Sequence, residues 1–434
     1  MTMSPLQRVT RRWFLGATAA SMGGVWMCGA AAWSAEAGGA LSEIRETDHF
    51  WYRLQSPGMY IDSQRDNRAF GYAGGKIFLS EDNGHTWPHS AEFPASPRIT
   101  FSHILKNGNV LFATGSRLYL STDKLKTFRE VIVKSADGSD YHPHTPKNPN
   151  CPGWYYHTLS GLLSWDIDGK EVMVWGNYCN VSGGATPVNI YYTVDNGETV
   201  KIACAFGQNP HFRDDGSEGG GTTGALLGNP ANPVICRHVH DVAYNPVENA
   251  FYACTGDLDR GDGHECHWLR GIYDAKKDTW DWKVLVSTNA NSRYKCGGIN
   301  FVDGKVYWIS DSNGPLPYDR GIFCCSPEDI TRPEKHTMLF NPEVESGNML
   351  IQDGVILASH CAPASPMATG IIVSTDMGKT WAQYDLKEFG PRSATRFHEK
   401  NGEGWFRADL RTGWIDHAEV LFIKPKVPGV TGKP

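Results

Sequence analysis

The sequence predicts an all-β chain folded as a seven-bladed β-propeller of four-stranded antiparallel blades, and three observations carry that expectation. A short pattern, S-x-D-x-G-x-T-W, returns along the chain, complete as SEDNGHTW at 80–87 and as STDMGKTW at 374–381. Weaker copies are STDKLKTF at 121–128 and TVDNGETV at 193–200, with a degenerate YDAKKDTW at 273–280. Alternating apolar runs punctuated by Gly, Asn and Asp surround these copies, as half-buried strands require. Composition agrees: 47 Gly, 15 Trp and 40% hydrophobic residues in a chain of 434 suit many short strands and tight turns.

Each copy reads as the turn between the third and fourth strands of a blade. Its Asp carboxylate and Gly shape the turn while its Trp packs behind. Blade two is the clearest, with strands expected at 99–105, 110–113, 117–121 and 128–133. The blades are expected at 50–92, 98–135, 154–206, 234–287, 293–340, 345–385 and 393–425, with six or eight as the competing counts. The first is short at its front and the last at its end. Residues 50–55 (FWYRLQ) are therefore expected to pair with the final blade, closing the ring and removing open sheet edges. Two Gly/Pro-rich insertions, 136–153 and 207–233, join the last strand of one blade to the first of the next. That junction opens on the face opposite the repeated turns, and long loops on a rigid scaffold are where sites are built.

The N-terminus reads as a targeting segment. TRRWFL at 10–15 carries paired arginines, an apolar stretch runs over 14–33, and Ala35-Glu36-Ala37 offers a small-x-small cleavage site. Residues 1–37 are thus expected to be a twin-arginine signal peptide and 38–434 a single propeller domain, periplasmic or secreted. A membrane anchor is the competing reading, because the stretch is about long enough to span. Cys28 follows Trp26-Met27, a poor lipoprotein context. Eleven cysteines, ten after cleavage, show no small-scaffold disulfide spacing. Lys+Arg 41 against Asp+Glu 47 gives a formal charge of −6, which argues against a nucleic-acid partner. The mature chain is expected to be a monomer off the membrane.

Polar residues gather where inner strands should begin: Trp154-Tyr155-Tyr156-His157, Arg237-His238-Val239-His240-Asp241, Arg293-Tyr294-Lys295 and Arg396-Phe397-His398. Arg, His and Tyr converging on an axis suggest a funnel for an anionic ligand. His103, His144, Arg213, Arg293, Tyr294 and Arg396 are the expected substrate-binding residues. For any one of them a buried, carbonyl-bonded side chain is the commoner state. A second cluster is His240, Asp257, His264, Cys266 and His267, whose imidazoles, thiolate and carboxylate are zinc-type ligands. One structural zinc or similar divalent ion is the expected cofactor; a polar or disulfide-bonded loop is the competing reading.

The stretch RHVHDVAYNP at 237–246, Thr255-Gly256-Asp257 and VYWISD at 306–311 resemble sialidase-like BNR (Asp-box) propellers close to the seven-bladed polysaccharide lyases, such as ulvan lyases and rhamnose–glucuronate lyases. The resemblance implies β-elimination on a uronic-acid-containing polysaccharide or oligosaccharide. That chemistry needs a cation beside the C5 carboxylate, a base for the neighbouring proton and an acid for the leaving oxygen. Arg237 suits the first as a planar fork, His157 the second as a neutral imidazole and Tyr178 the third, with His238 in reserve. A sialidase start is absent: Tyr52-Arg53-Leu54-Gln55 lacks the proline. Asp257, Asp259 and Asp311 keep a two-carboxylate hydrolase open, and a non-catalytic carbohydrate-binding or assembly propeller is the third class.

Overall fold

The computed structural model describes residues 41–55, 59–94, 99–143, 154–180, 185–215, 223–257, 259–260, 263–311, 320–342, 345–361, 369–385, 393–411 and 417–427. The expected signal peptide and His144 lie outside them. The described residues form seven antiparallel four-stranded blades, one of them with a short fifth strand at its rim. Among these residues, no helix is long and apolar enough to cross a membrane.

The ring closes as the sequence suggests. Phe50–Gln55 pairs antiparallel with His417–Pro425, Phe50 opposite Pro425 and Gln55 opposite Val420, so the N-terminal strand is the fourth strand of blade seven. Blade one accordingly starts at Tyr60–Arg65, not at residue 50. Phe50 and Tyr52 bury against Leu421, Ile423 and Ile371, which welds blades six and seven. Burying a side chain of this size is worth roughly 1.5–3 kcal/mol.

The turns between third and fourth strands share one hydrogen-bond scheme. Asp82, Asp123, Asp195 and Asp376 accept the backbone N–H of the Thr four residues on at 2.8, 2.9, 3.0 and 2.9 Å. Each also accepts that Thr hydroxyl on its other oxygen, at 2.5–2.7 Å. The two residues after the Asp have positive φ, Asn83-Gly84 in blade one (62° and 85°) but Lys124-Leu125 in blade two (59° and 63°). Blade two keeps the turn without the glycine that would make it unstrained. At 273–280 the scheme is lost, and Asp274 instead accepts the backbone N–H groups of Lys276 and Lys277.

Because neighbouring strands alternate in direction, these turns lie at one end of the ring. The inter-blade connections and the turns between second and third strands lie at the other, the mouth. Blade three departs from expectation there. Its first strand is Ser164–Ile167, and the preceding Trp154–Leu163 stretch is not a strand at all. It crosses the axis as a plug. The Tyr155 N–H donates to Gly115 O beside blade two, at 2.8 Å. Ser160 Oγ lies 3.2 Å from His240 O in blade four, 3.1 Å from Gly297 O in blade five and 3.3 Å from Asn348 Oδ1 in blade six. Gly161 is pressed so closely on Phe397 O of blade seven that a Cβ would sit 2.1 Å away. Two of its own rings, Tyr155 and Tyr156, are buried against Trp175 and Tyr191.

Candidate functional site

At the mouth, blades four and five deliver a compact polar cluster. The inner strand of blade four, His238–Asn245, has a bulge at His240: the register passes from Val239 opposite Thr255 to Asp241 opposite Cys254. Such a bulge re-aims a side chain. The second strand, Ala250–Gly256, ends one residue before Asp257, which turns its carboxylate back over the first. His240 Nε2 lies 2.9 Å from Asp257 Oδ1, and His238 Nε2 lies 3.1 Å from Oδ2. Gly256 makes room for this, since a Cβ there would stand 2.6 Å from His240 Nε2.

Blade five contributes by the same grammar. Lys295 immediately precedes its first strand, Cys296–Val302, and Asp311 follows its second, Lys305–Ser310. Lys295 Nζ is 3.5 Å from Asp257 Oδ1 and 3.4 Å from Asp311 Oδ2. Burial works to raise the Asp257 pKa, but the charge of Lys295 leads the opposing effects, and the carboxyl is held well below its usual range. Burial also lowers the His238 pKa, to about 4 against the pull of Asp257. In Lys295 burial is outweighed by Asp311 and Asp257, which keep it charged. The Tyr178 ring stacks on His238 at 3.9 Å between centroids and 24° between planes. Asp257 is the part of the triad open to solvent, its side chain 22% exposed against 0% for both histidines.

The expected catalytic residues fall in one neighbourhood but not in equal roles. His157 is buried in the plug, 4.5 Å from Trp154 and 6.3 Å from Tyr178 between ring centroids. A base sealed at 1% exposure does not meet a sugar directly, which corrects its assignment as the group that takes the proton. Tyr178 and His238 are also buried, as one stacked pair. Arg237 is half-buried, its Nε donating to Asn180 O at 2.7 Å and its guanidinium 5.9 Å from the Phe212 ring.

Several expected substrate contacts are instead structural. Arg396 is buried between Asp409 (2.6 Å) and Asp62 (2.9 Å) and donates to Thr100 O, pinning blade seven to blades one and two. Tyr294 donates its hydroxyl to Ile330 O at 2.5 Å. His103 sits by Ser164 Oγ at 3.0 Å, on the inner strand of blade two and away from the triad. Its pKa falls to about 4 through burial and the nearby Arg65. Arg293 packs 4.8 Å from the Phe323 ring, and Arg213 donates to Gly224 O at 2.9 Å.

Of the five expected metal ligands only His240 and Asp257 come together. His267 turns its Nε2 to Ile235 O at 3.0 Å, His264 is exposed on the short strand Gly263–His264, and Cys266 is a buried thiol. Strand alternation separates Cys266 from His267, whereas the bulge at His240 turns that ring to the same carboxylate as His238. Lys295, expected only within the polar funnel, and Asp311, expected only as a hydrolase carboxylate, join this cluster. They repeat in blade five the places of Arg237 and Asp257 in blade four, just before the first strand and just after the second.

No protein-family model matches the chain, and no curated protein searched matches it. Solved structures similar to it include YCF48 from Cyanidioschyzon merolae, at 13% identity and TM-score 0.45, covering 89% of this chain and 98% of that one. A Penicillium chrysogenum α-L-arabinanase complexed with arabinobiose aligns at 13% identity and TM-score 0.40 over 76% of this chain and 94% of its own. An ancestral GH74 enzyme gives 13% and 0.46 over 90% of this chain and 52% of its own. Likenesses this distant go no further than the propeller fold.

Proposed function

We propose that the chain is an exported carbohydrate-active protein that cleaves a uronate-containing polysaccharide or oligosaccharide by β-elimination at the mouth of blades three to five. The observation that carries this reading is Arg237. It is half-exposed at the mouth, and its two terminal nitrogens have no partner among the described residues, so a planar fork is left for a carboxylate. It precedes His238 directly, beside the Tyr178–His238 stack. Stabilising the enolate that forms at C5 is the work of Arg237.

Hydrolysis is less well supported. A two-carboxylate hydrolase pairs one protonated carboxyl with one ionised one; Asp257 is held ionised, while Asp241, which burial raises to about 7, is committed to the backbone N–H of Ile299. The test is incubation with a panel of uronic-acid polysaccharides while following the ultraviolet absorbance of an unsaturated uronate. New absorbance supports elimination. New reducing ends without it mean hydrolysis, and neither means a binding or assembly propeller.

A further inference from the structure

The hydrogen-bond inventory of the triad does not balance with neutral histidines. His238 Nδ1 lies 2.9 Å from Cys179 O, and His240 Nδ1 lies 2.9 Å from Cys296 O. A carbonyl oxygen only accepts, so both Nδ1 atoms carry their hydrogen and both Nε2 atoms present lone pairs. Those lone pairs face the two oxygens of one carboxylate, Asp257, at 3.1 and 2.9 Å. Four acceptor atoms thus point at one another, and two protons or one cation must lie among them.

The surroundings favour the cation. Both imidazoles are buried, where a second positive ring is costly. Asp257 and Asp311 share the single ammonium of Lys295, so two carboxylates face one positive charge there and a negative charge is left over. The ligand atoms of His238, His240 and Asp257 all lie within 4.8 Å of one another. Donation of each Nδ1–H to a backbone carbonyl is also the usual outer-shell arrangement that fixes a metal-binding imidazole.

We propose that His238, His240 and Asp257 bind one divalent first-row transition-metal ion of the zinc type, with its remaining positions open toward the mouth. Two imidazole nitrogens and a carboxylate suit such an ion better than magnesium or calcium, which prefer oxygen throughout. Three protein ligands with one side open is the arrangement of a reactive ion, not of a closed structural one. The partly exposed Asp257 marks the open side. The ligand set differs from the one expected from sequence by exchanging His264, Cys266 and His267 for His238. The inference is independent of the lyase reading, because the ion is measured directly whether or not any sugar is cleaved.

The test uses the whole mature protein purified without chelator. Elemental analysis should find close to one ion per chain. Chelation should lower Tm, and added Zn(II) should restore it. Asp257→Asn, nearly isosteric, should weaken Zn(II) binding by at least about 100-fold, since even outer-shell changes cost 10–100-fold. Cys266→Ser and His264→Ala should keep full occupancy. Co(II) replacing the native ion should give visible d–d bands with no sulfur-to-metal charge-transfer band. A folded wild-type protein that neither contains nor takes up Zn(II), Mn(II) or Fe(II) would overturn the proposal. So would a sulfur charge-transfer band, or loss of the ion in Cys266→Ser with retention in Asp257→Asn. Should Asp257→Asn fail to fold, the cobalt spectrum and metal uptake of the wild type decide alone.

Discussion

Asp257 and Asp311 stand at equivalent places in adjacent blades and share one ammonium, Lys295, at 3.5 and 3.4 Å. A 6% exposed lysine between two carboxylates is a buried charge cluster whose middle member cannot be removed cheaply. Lys295→Ala should cost about 3–5 kcal/mol in urea denaturation, and Lys295→Arg should recover part of it. A loss below about 1 kcal/mol would mean that water screens the cluster.

Arg237→Ala should lower turnover on a cleavable uronate substrate by about 10²–10³ with Tm unchanged, because the charge it supplies matters most in the transition state. His157→Ala should behave differently. It removes packing between Trp154 and Tyr178 inside the plug, so Tm should fall, by about 1–3 kcal/mol of stability. Unchanged Tm together with abolished turnover would return His157 to the chemistry.

Gly256→Ala places a methyl group 2.6 Å from His240 Nε2, too close for the ring to stay. The imidazole must move, the Asp257 contact must lengthen, and metal uptake should fall at least tenfold while the blade still folds. Far-ultraviolet circular dichroism beside a metal titration reads both effects. Uptake equal to wild type would show that His240 is not held where we find it.

The repeated turns make stability depend on acid. Thr380 and Ser374 hydrogen bonds lower the Asp376 pKa to about 2, and Thr127 and Ser121 lower that of Asp123. Since the folded pKa lies below the unfolded one, the contribution is complete above about pH 4. It is lost as the pH falls toward 2. Thr380→Ala should therefore narrow the Tm difference between pH 6 and pH 3, and a Tm profile across that range checks it.

The repeat copies carried the architecture because their hydrogen bonds are local: Ser, Asp, Gly and Thr within seven residues specify one turn whatever surrounds it. Even Leu125 in place of glycine left the reading intact. Ring closure was legible from an unfinished first blade. Trp154–His157 misled because four polar-aromatic residues before a strand resemble its beginning, and only the contacts of Ser160 across the axis show that they lie on a plug. The donor set was half legible for a similar reason. Spacing along the chain shows two imidazoles at the start of one strand, but not that a bulge turns both to one carboxylate, nor that Gly256 leaves space for it.

The plug also decides traffic. Ser160 reaches three blades and Gly161 a fourth, so the axial hole that a propeller otherwise leaves is stoppered at the mouth. Between the plug and blades three and four, beside His240 and Asp241, remains a void of about 20 Å³, space for a water or so. No solute of sugar size passes through the ring. Whatever arrives at Arg237 and Asp257 must leave by the way it entered, and a long polymer can only lie across this face, never thread it.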